Sequence, residues 1–155
     1  MRDQRFIAEH RGGLLKKEHH IQLIEWACGC SEHVLHLAGE NPDERLIKAI
    51  AVAKEWAKGN ASVGEARKAS VGAHAAAREN SDPRSIAVAR SVGHAVATAH
   101  MADHSTGAAD YALQALKIAG QSTDQERKWQ DEQLQTDIKE LVLTARSMRS
   151  LKIKP

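Results

Sequence analysis

Aromatic residues are scarce in this chain of 155 residues: Phe6, Trp26, Trp56, Tyr111 and Trp129 are its full set. Sheets are packed by aromatic and β-branched side chains, and these are thin here. Alanine, the strongest helix former, supplies 26 positions. A sheet-based fold is therefore excluded. Long apolar runs are also missing. The longest stretch without a charged residue, 91–102, contains two histidines and falls well short of the roughly 20 apolar residues of a bilayer span. No membrane contact is expected. Near the N-terminus, Phe6-Ile7 is followed at once by Glu9, His10 and Arg11, so the apolar core of a secretory signal is absent and a cytoplasmic location is expected. Cysteine is limited to Cys28 and Cys30. One residue apart in a helical pattern, they point to different sides and cannot bridge without strain, so both are read as reduced thiols. A chain of this size buries enough surface to need neither a disulfide nor a metal for stability, and no cofactor is expected.

Neither sign of charge dominates. There are 22 Lys+Arg and 20 Asp+Glu, a net +2, but Arg146, Arg149, Lys152 and Lys154 lie beyond Glu140 without an acid, so residues 1–140 sum to −2. The basic end reads as a frayed, solvated helix terminus, and a nucleic-acid partner is disfavoured.

What is present is a regular series of helix starts. Asn41-Pro42-Asp43-Glu44 offers a cap followed by proline. Ser62-Val63-Gly64-Glu65 and Thr123-Asp124-Gln125-Glu126 are capping boxes, Asp82-Pro83 repeats the first pattern, and Asp103 or Ser105 is a weaker start. Caps at 41, 62, 82, 103 and 123 are spaced by 20 or 21 residues, one helix and a short turn each. Gly39, Gly59, Asn80 and Gly120 precede them as helix terminators. With a first helix over 17–38, the expectation is an all-α fold of about six antiparallel helices, either a compact bundle or a short HEAT-like stack. It forms a single domain over 1–155, with an arm at 1–15 and a basic tail at 147–155 loosely ordered. The span 61–120 holds 18 of the alanines, which places the tightest packing in the third to fifth helices and the tryptophans at the periphery.

Nine histidines stand out. Glu32, His33, His74, His94, His100, Asp103 and His104 form a candidate polar cluster, in which a contact from Glu32 to a histidine on another helix would satisfy both groups. His100 and His104 at i and i+4 share a face if one helix carries both, and Asp103 could add an oxygen ligand. A turn capped by Asp103 would destroy that geometry, so no metal is assigned. Cys30 with His33 is a weak nucleophile–base pair, since a thiol on an apolar helix face is ordinarily inert. Arg11-Gly12-Gly13 reads as a flexible turn, too short for an RNA-binding tract. No nucleophile elbow, phosphate-binding loop or His-Glu-x-x-His helix is present, and the chain is expected not to be an enzyme.

Several segments in order resemble a known family. These are Arg11-Gly12-Gly13, Trp26-Ala27 through Glu32-His33-Val34-Leu35, Val63-Gly64-Glu65-Ala66-Arg67, Ala73-His74-Ala75-Ala76-Ala77-Arg78-Glu79, Gly93-His94-Ala95-Val96, His104, Gly107-Ala108-Ala109 and Tyr111-Ala112. In this order they are similar to the bacterial immunity proteins of the immunity-protein-5-like group. The resemblance implies a small all-helical cytoplasmic protein that neutralises a partner protein toxin by binding and occlusion, without catalysis, and it carries no catalytic residues over. Two other functions fit the residues. One is a metal-dependent enzyme on a helical bundle using His100, Asp103 and His104; the other is a helical scaffold or adaptor that self-associates into a homo-oligomer through its alanine-rich faces.

Overall fold

The computed structural model describes residues 3–153, with side chains through Arg149. Seven α-helices follow one another: α1 (Lys17–His33), α2 (Glu44–Ala57), α3 (Val63–Arg78), α4 (Pro83–Ala97), α5 (His104–Ile118), α6 (Thr123–Glu132) and α7 (Thr136–Ile153). Among the described residues no helix is long and apolar enough to cross a membrane. Lys154 and Pro155, the end of the expected basic tail, lie outside the described residues.

Local chemistry sets most of the helix starts. Ser62 accepts from the Glu65 amide at 3.0 Å while the Glu65 carboxylate returns to the Ser62 amide, closing the expected box. Asp82 accepts from the Ser85 amide, with Pro83 at the first helical position. Two caps shift. Asp43, not Asn41, caps α2 by accepting from the Arg45 amide at 2.9 Å, and Ser122, not Thr123, caps α6. The first helix also ends earlier than expected. Its α-helical hydrogen bonding stops at His33, and Leu35–Ala38 form a 3-10 turn that ends on Gly39 at φ +103°. The last expected helix is split in two by the turn at residues 133–135, which raises six helices to seven.

Packing centres on α4, which touches α1, α2, α3 and α5; nine of its fifteen residues are buried. In an open solenoid each unit meets only its neighbours. Here α1 also packs on α4 and α5, so the helices close into a bundle. The alanine-rich interior spans α1 to α5 and includes Ala66, Ala73, Val88, Val92, Val96, Ala108 and Ala112, all buried. Small hydroxyls bridge the closely spaced backbones: Ser91 Oγ donates to the Ala108 carbonyl at 2.7 Å and lies 2.8 Å from Ser31 Oγ, and Ser70 Oγ donates to the Gly93 carbonyl. A second apolar group joins Phe6, Leu15, Leu23, Trp26 and Cys30 to Leu134, Ile138 and Val142 of the C-terminal helices. The tryptophans are less peripheral than expected. Trp26 and Trp56 are buried, and only Trp129 is half-buried.

Residues 3–15 fold back on themselves ahead of α1. Leu15 N–H donates to the Ile7 carbonyl, Glu9 N–H to the Leu15 carbonyl and Leu14 N–H to the Gln4 carbonyl. Phe6 and Leu15 are both buried.

Candidate functional site

The expected polar cluster divides into two parts. His74 on α3, His94 on α4, His104 at the start of α5 and His100 in the turn before it form a run of ring contacts. Centroid separations are 5.4 Å from His74 to His94, 5.0 Å from His94 to His104 and 5.6 Å from His100 to His104. Two glycines make room for it. A Cβ on Gly93 would sit 2.6 Å from His74 Nε2, and one on Gly107 would sit 2.9 Å from His94 Nδ1. Alanine normally stabilises a helix relative to glycine by about 0.5–1 kcal/mol. Gly93→Ala is nonetheless expected to lose a net 1–2 kcal/mol (approximate), because the His74 ring must leave its seat. Urea melts check this, and adding His74→Ala should recover most of the loss.

Two rings of this run, His74 and His94, are held toward the neutral imidazole. Arg90 can only donate, so its 2.7 Å contact makes His74 Nδ1 an acceptor. His94 and His104 face each other through Nδ1 atoms 3.0 Å apart, a contact that requires one proton between them. Burial pushes His94 down to about 4, reinforced by His104, His74, Arg90 and Arg149; burial and then Arg90 lower His74 as well. A folded-state pKa below the unfolded 6.5 means the stability is intact above pH about 6.5 and lost as pH falls through the folded value. His94→Gln is expected to remove on the order of 2 kcal/mol of acid destabilisation between pH 6.5 and 4, a figure reduced for partial solvent screening. Chemical denaturation at a series of pH values measures it.

The metal-chelating geometry sketched for His100 and His104 does not form, because α4 ends at Ala97 and α5 begins only at His104. Asp103 stands at the start of α5 without a side-chain capping bond. Among the described residues no group of three or more His, Cys, Asp or Glu is arranged to hold a metal ion.

Glu32 and His33 belong elsewhere. The expected Glu32–histidine contact is replaced by two others: Glu32 accepts from Lys54 Nζ at 2.9 Å, and His33 Nδ1 lies 2.6 Å from Glu126 Oε2. The expectation failed because each residue's partner comes from a helix whose placement the local sequence does not encode. His33 also stacks on Trp129, with centroids 3.6 Å apart and planes within 12°. Cys28 and Cys30 are buried and free; burial pushes the Cys28 thiol up to about 12 and Cys30 higher still, so neither is a nucleophile.

Around His33 and Trp129 an open groove of about 560 Å³ runs between α1 and the α6–α7 turn. Trp26, Trp129 and Gly29 form its apolar part, Glu25 and Glu32 its acids, and among the described residues no lysine or arginine lines it. Beneath it lies a polar network absent from the expected site. Gln130, fully buried, accepts from Trp26 Nε1 at its backbone carbonyl (2.8 Å), donates from Nε2 to the Ala109 carbonyl, and accepts at Oε1 from Arg146 (2.6 Å). Arg146, expected in a solvated tail, is buried and also donates to Asp131. The one available signal was Glu126, Trp129 and Gln130 at i, i+3 and i+4, which puts all three on one face of a helix.

No curated protein and no solved structure matches the chain. The family model described as "Imm-5 like putative immunity protein" matches residues 13–137, which takes in α1 through α6, the groove and the histidine run, and the chain belongs to that family.

Proposed function

We propose that this single helical domain, residues 1–155, is a bacterial cytoplasmic immunity protein that neutralises a partner protein toxin by binding and occluding it, with no chemistry of its own. Membership of the family over residues 13–137 carries the reading. The groove at Trp129 is the proposed docking face. It pairs an accessible aromatic surface with the carboxylate of Glu25, and among the described residues no lysine or arginine lines it, Glu32 being paired with Lys54 at its edge; this suits a basic segment of the toxin, met by Glu25 and by cation–π contact with Trp129. A stable complex would extend beyond it, since such interfaces bury about 1,600 Å² in total. Glu32 and His33 take part directly. His74, His94, His100, Asp103 and His104 lie outside this docking face, at the junction of α3, α4 and α5.

The test is co-expression with the toxin encoded beside the gene. Protection of the host and equimolar co-purification are expected, and Trp129→Ala should weaken the complex by about tenfold or more at unchanged thermal stability. A toxin that neither binds the protein nor is blocked by it would overturn the reading. Binding that ignores Trp129→Ala would overturn the choice of face.

A further inference from the structure

A second cavity lies under the N-terminal arm, away from the groove. It holds about 290 Å³ and is more enclosed than the groove. Phe6 and Ile7 of the arm, Trp56 at the end of α2, Val63 at the start of α3 and Met101 of the α4–α5 turn give it an apolar lining. Its charged groups are of mainly one sign: among the described residues Arg11 and Lys17 line it against the carboxylate of Asp103.

The arm is built to hold Arg11 there. Gly12 turns the chain at φ +87°, and a Cβ on Gly13 would fall 2.0 Å from the Ile7 carbonyl oxygen, so only glycine permits this return. Arg11 N–H and Gly13 N–H both donate to the Ala8 carbonyl, and Gly12 N–H donates to Glu9. Arg11-Gly12-Gly13, read from sequence as a flexible turn, is thus a tightly bonded loop with a guanidinium at the cavity. Lys17 is placed by another route: its ammonium rests 4.0 Å from the centre of the Trp56 ring. Among the described residues neither Arg11 nor Lys17 forms an ion pair with a carboxylate. The same field reaches His20 in the cavity wall. Its Nε2–H donates to the Thr98 carbonyl at 2.6 Å, and the ring is held below its usual pKa by burial first and then by Lys17, His10 and Arg11.

We infer that this cavity is a binding site for a small organic anion with an apolar body, of the aryl-carboxylate or aryl-phosphate class, its acid group held by Arg11 and Lys17 and its body lying between Phe6, Trp56 and Met101. Pockets that hold small ligands have this composition: mostly apolar walls with a few convergent polar groups. At ordinary packing densities the volume takes about a dozen non-hydrogen atoms. The guanidinium can grip a carboxylate or phosphate through two parallel hydrogen bonds, and Lys17 adds a point charge that shifts from the ring to the ligand. The site does not depend on the toxin-binding reading, because its test needs no toxin.

The experiment titrates the full chain with indole-3-acetate and phenyl phosphate, using the matched neutral probe indole-3-acetamide, by calorimetry and by tryptophan side-chain N–H resonances. Roughly millimolar or tighter affinity is expected for probes of this size. The acetamide should bind about tenfold weaker, and the Arg11→Met/Lys17→Met protein should lose about tenfold in affinity for the anions. Both changed residues are solvent-exposed, so folding should survive, and the exposed-charge variant Lys48→Met should bind like the parent. Val63→Trp, which fills the cavity from its exposed edge, should abolish binding. The inference is overturned by no saturable binding of either anion up to about 10 mM, by equal affinity for acetate and acetamide, or by binding that is indifferent to Arg11→Met/Lys17→Met.

Discussion

Arg146→Ala is expected to remove about 3–5 kcal/mol of folding stability, the cost of breaking a buried charged network by deleting one partner. The Arg146 side chain is 2% exposed, with Nη1 donating to Asp131 Oδ1 and Nη2 to Gln130 Oε1, both at 2.6 Å. Removing it leaves the Gln130 amide oxygen without its donor in a site water does not reach, and leaves Asp131, half-buried, without its charge partner. It also removes the side-chain tie that Arg146 of α7 makes to Gln130 and Asp131 of α6. Urea denaturation should show the loss as a lower midpoint at unchanged slope. Arg149→Ala is the control. Arg149 meets Asp110 at 3.0 Å, but both side chains are more than 40% exposed, so its loss should cost less than about 1 kcal/mol.

The contrast between Arg146 and Arg149 explains where sequence reasoning succeeds. Three residues apart in one basic stretch, they look alike, and the stretch reads as a solvated end. What separates them is Gln130 and Asp131, about fifteen residues upstream on another helix, and no local pattern encodes that meeting. Caps behave oppositely. Ser62 with Glu65 and Asp82 with Pro83 were legible because donor and acceptor lie within one helical turn. Even there tertiary contacts compete: Asp43 displaces Asn41 as the α2 cap while Arg45 is drawn both to Asp43 and across to Glu79, just past the end of α3. The α6–α7 break has neither glycine nor proline to announce it. Alanine content gave the helical class and the close packing of α3, α4 and α5, since both follow from side-chain size alone. The histidines showed the limit of spacing arguments. His100 and His104 meet across a turn, and His33 finds Glu126 from 93 positions away.

Trp26→Ala is expected to cost about 3–5 kcal/mol, as for other buried aromatic truncations. The residue is 5% exposed and packs among Leu23, Cys30, Leu134 and Ile138, so alanine would leave a void between α1 and the C-terminal helices. Part of the cost is polar. The indole N–H is the donor for the Gln130 carbonyl, and the ring faces the Arg146 guanidinium at 5.4 Å. Trp26→Phe separates the contributions: it keeps most of the apolar surface, loses the donor, and should cost about 1–3 kcal/mol. Because Trp26 and Arg146 both bond Gln130, their losses should not add. A double-mutant cycle between Trp26→Phe and Arg146→Ala should give a coupling of about 0.5–3 kcal/mol. Strict additivity would mean that Gln130 is held independently from each side. The two hydrogen bonds to Gln130 would then contribute separately, with no cooperative network under the groove.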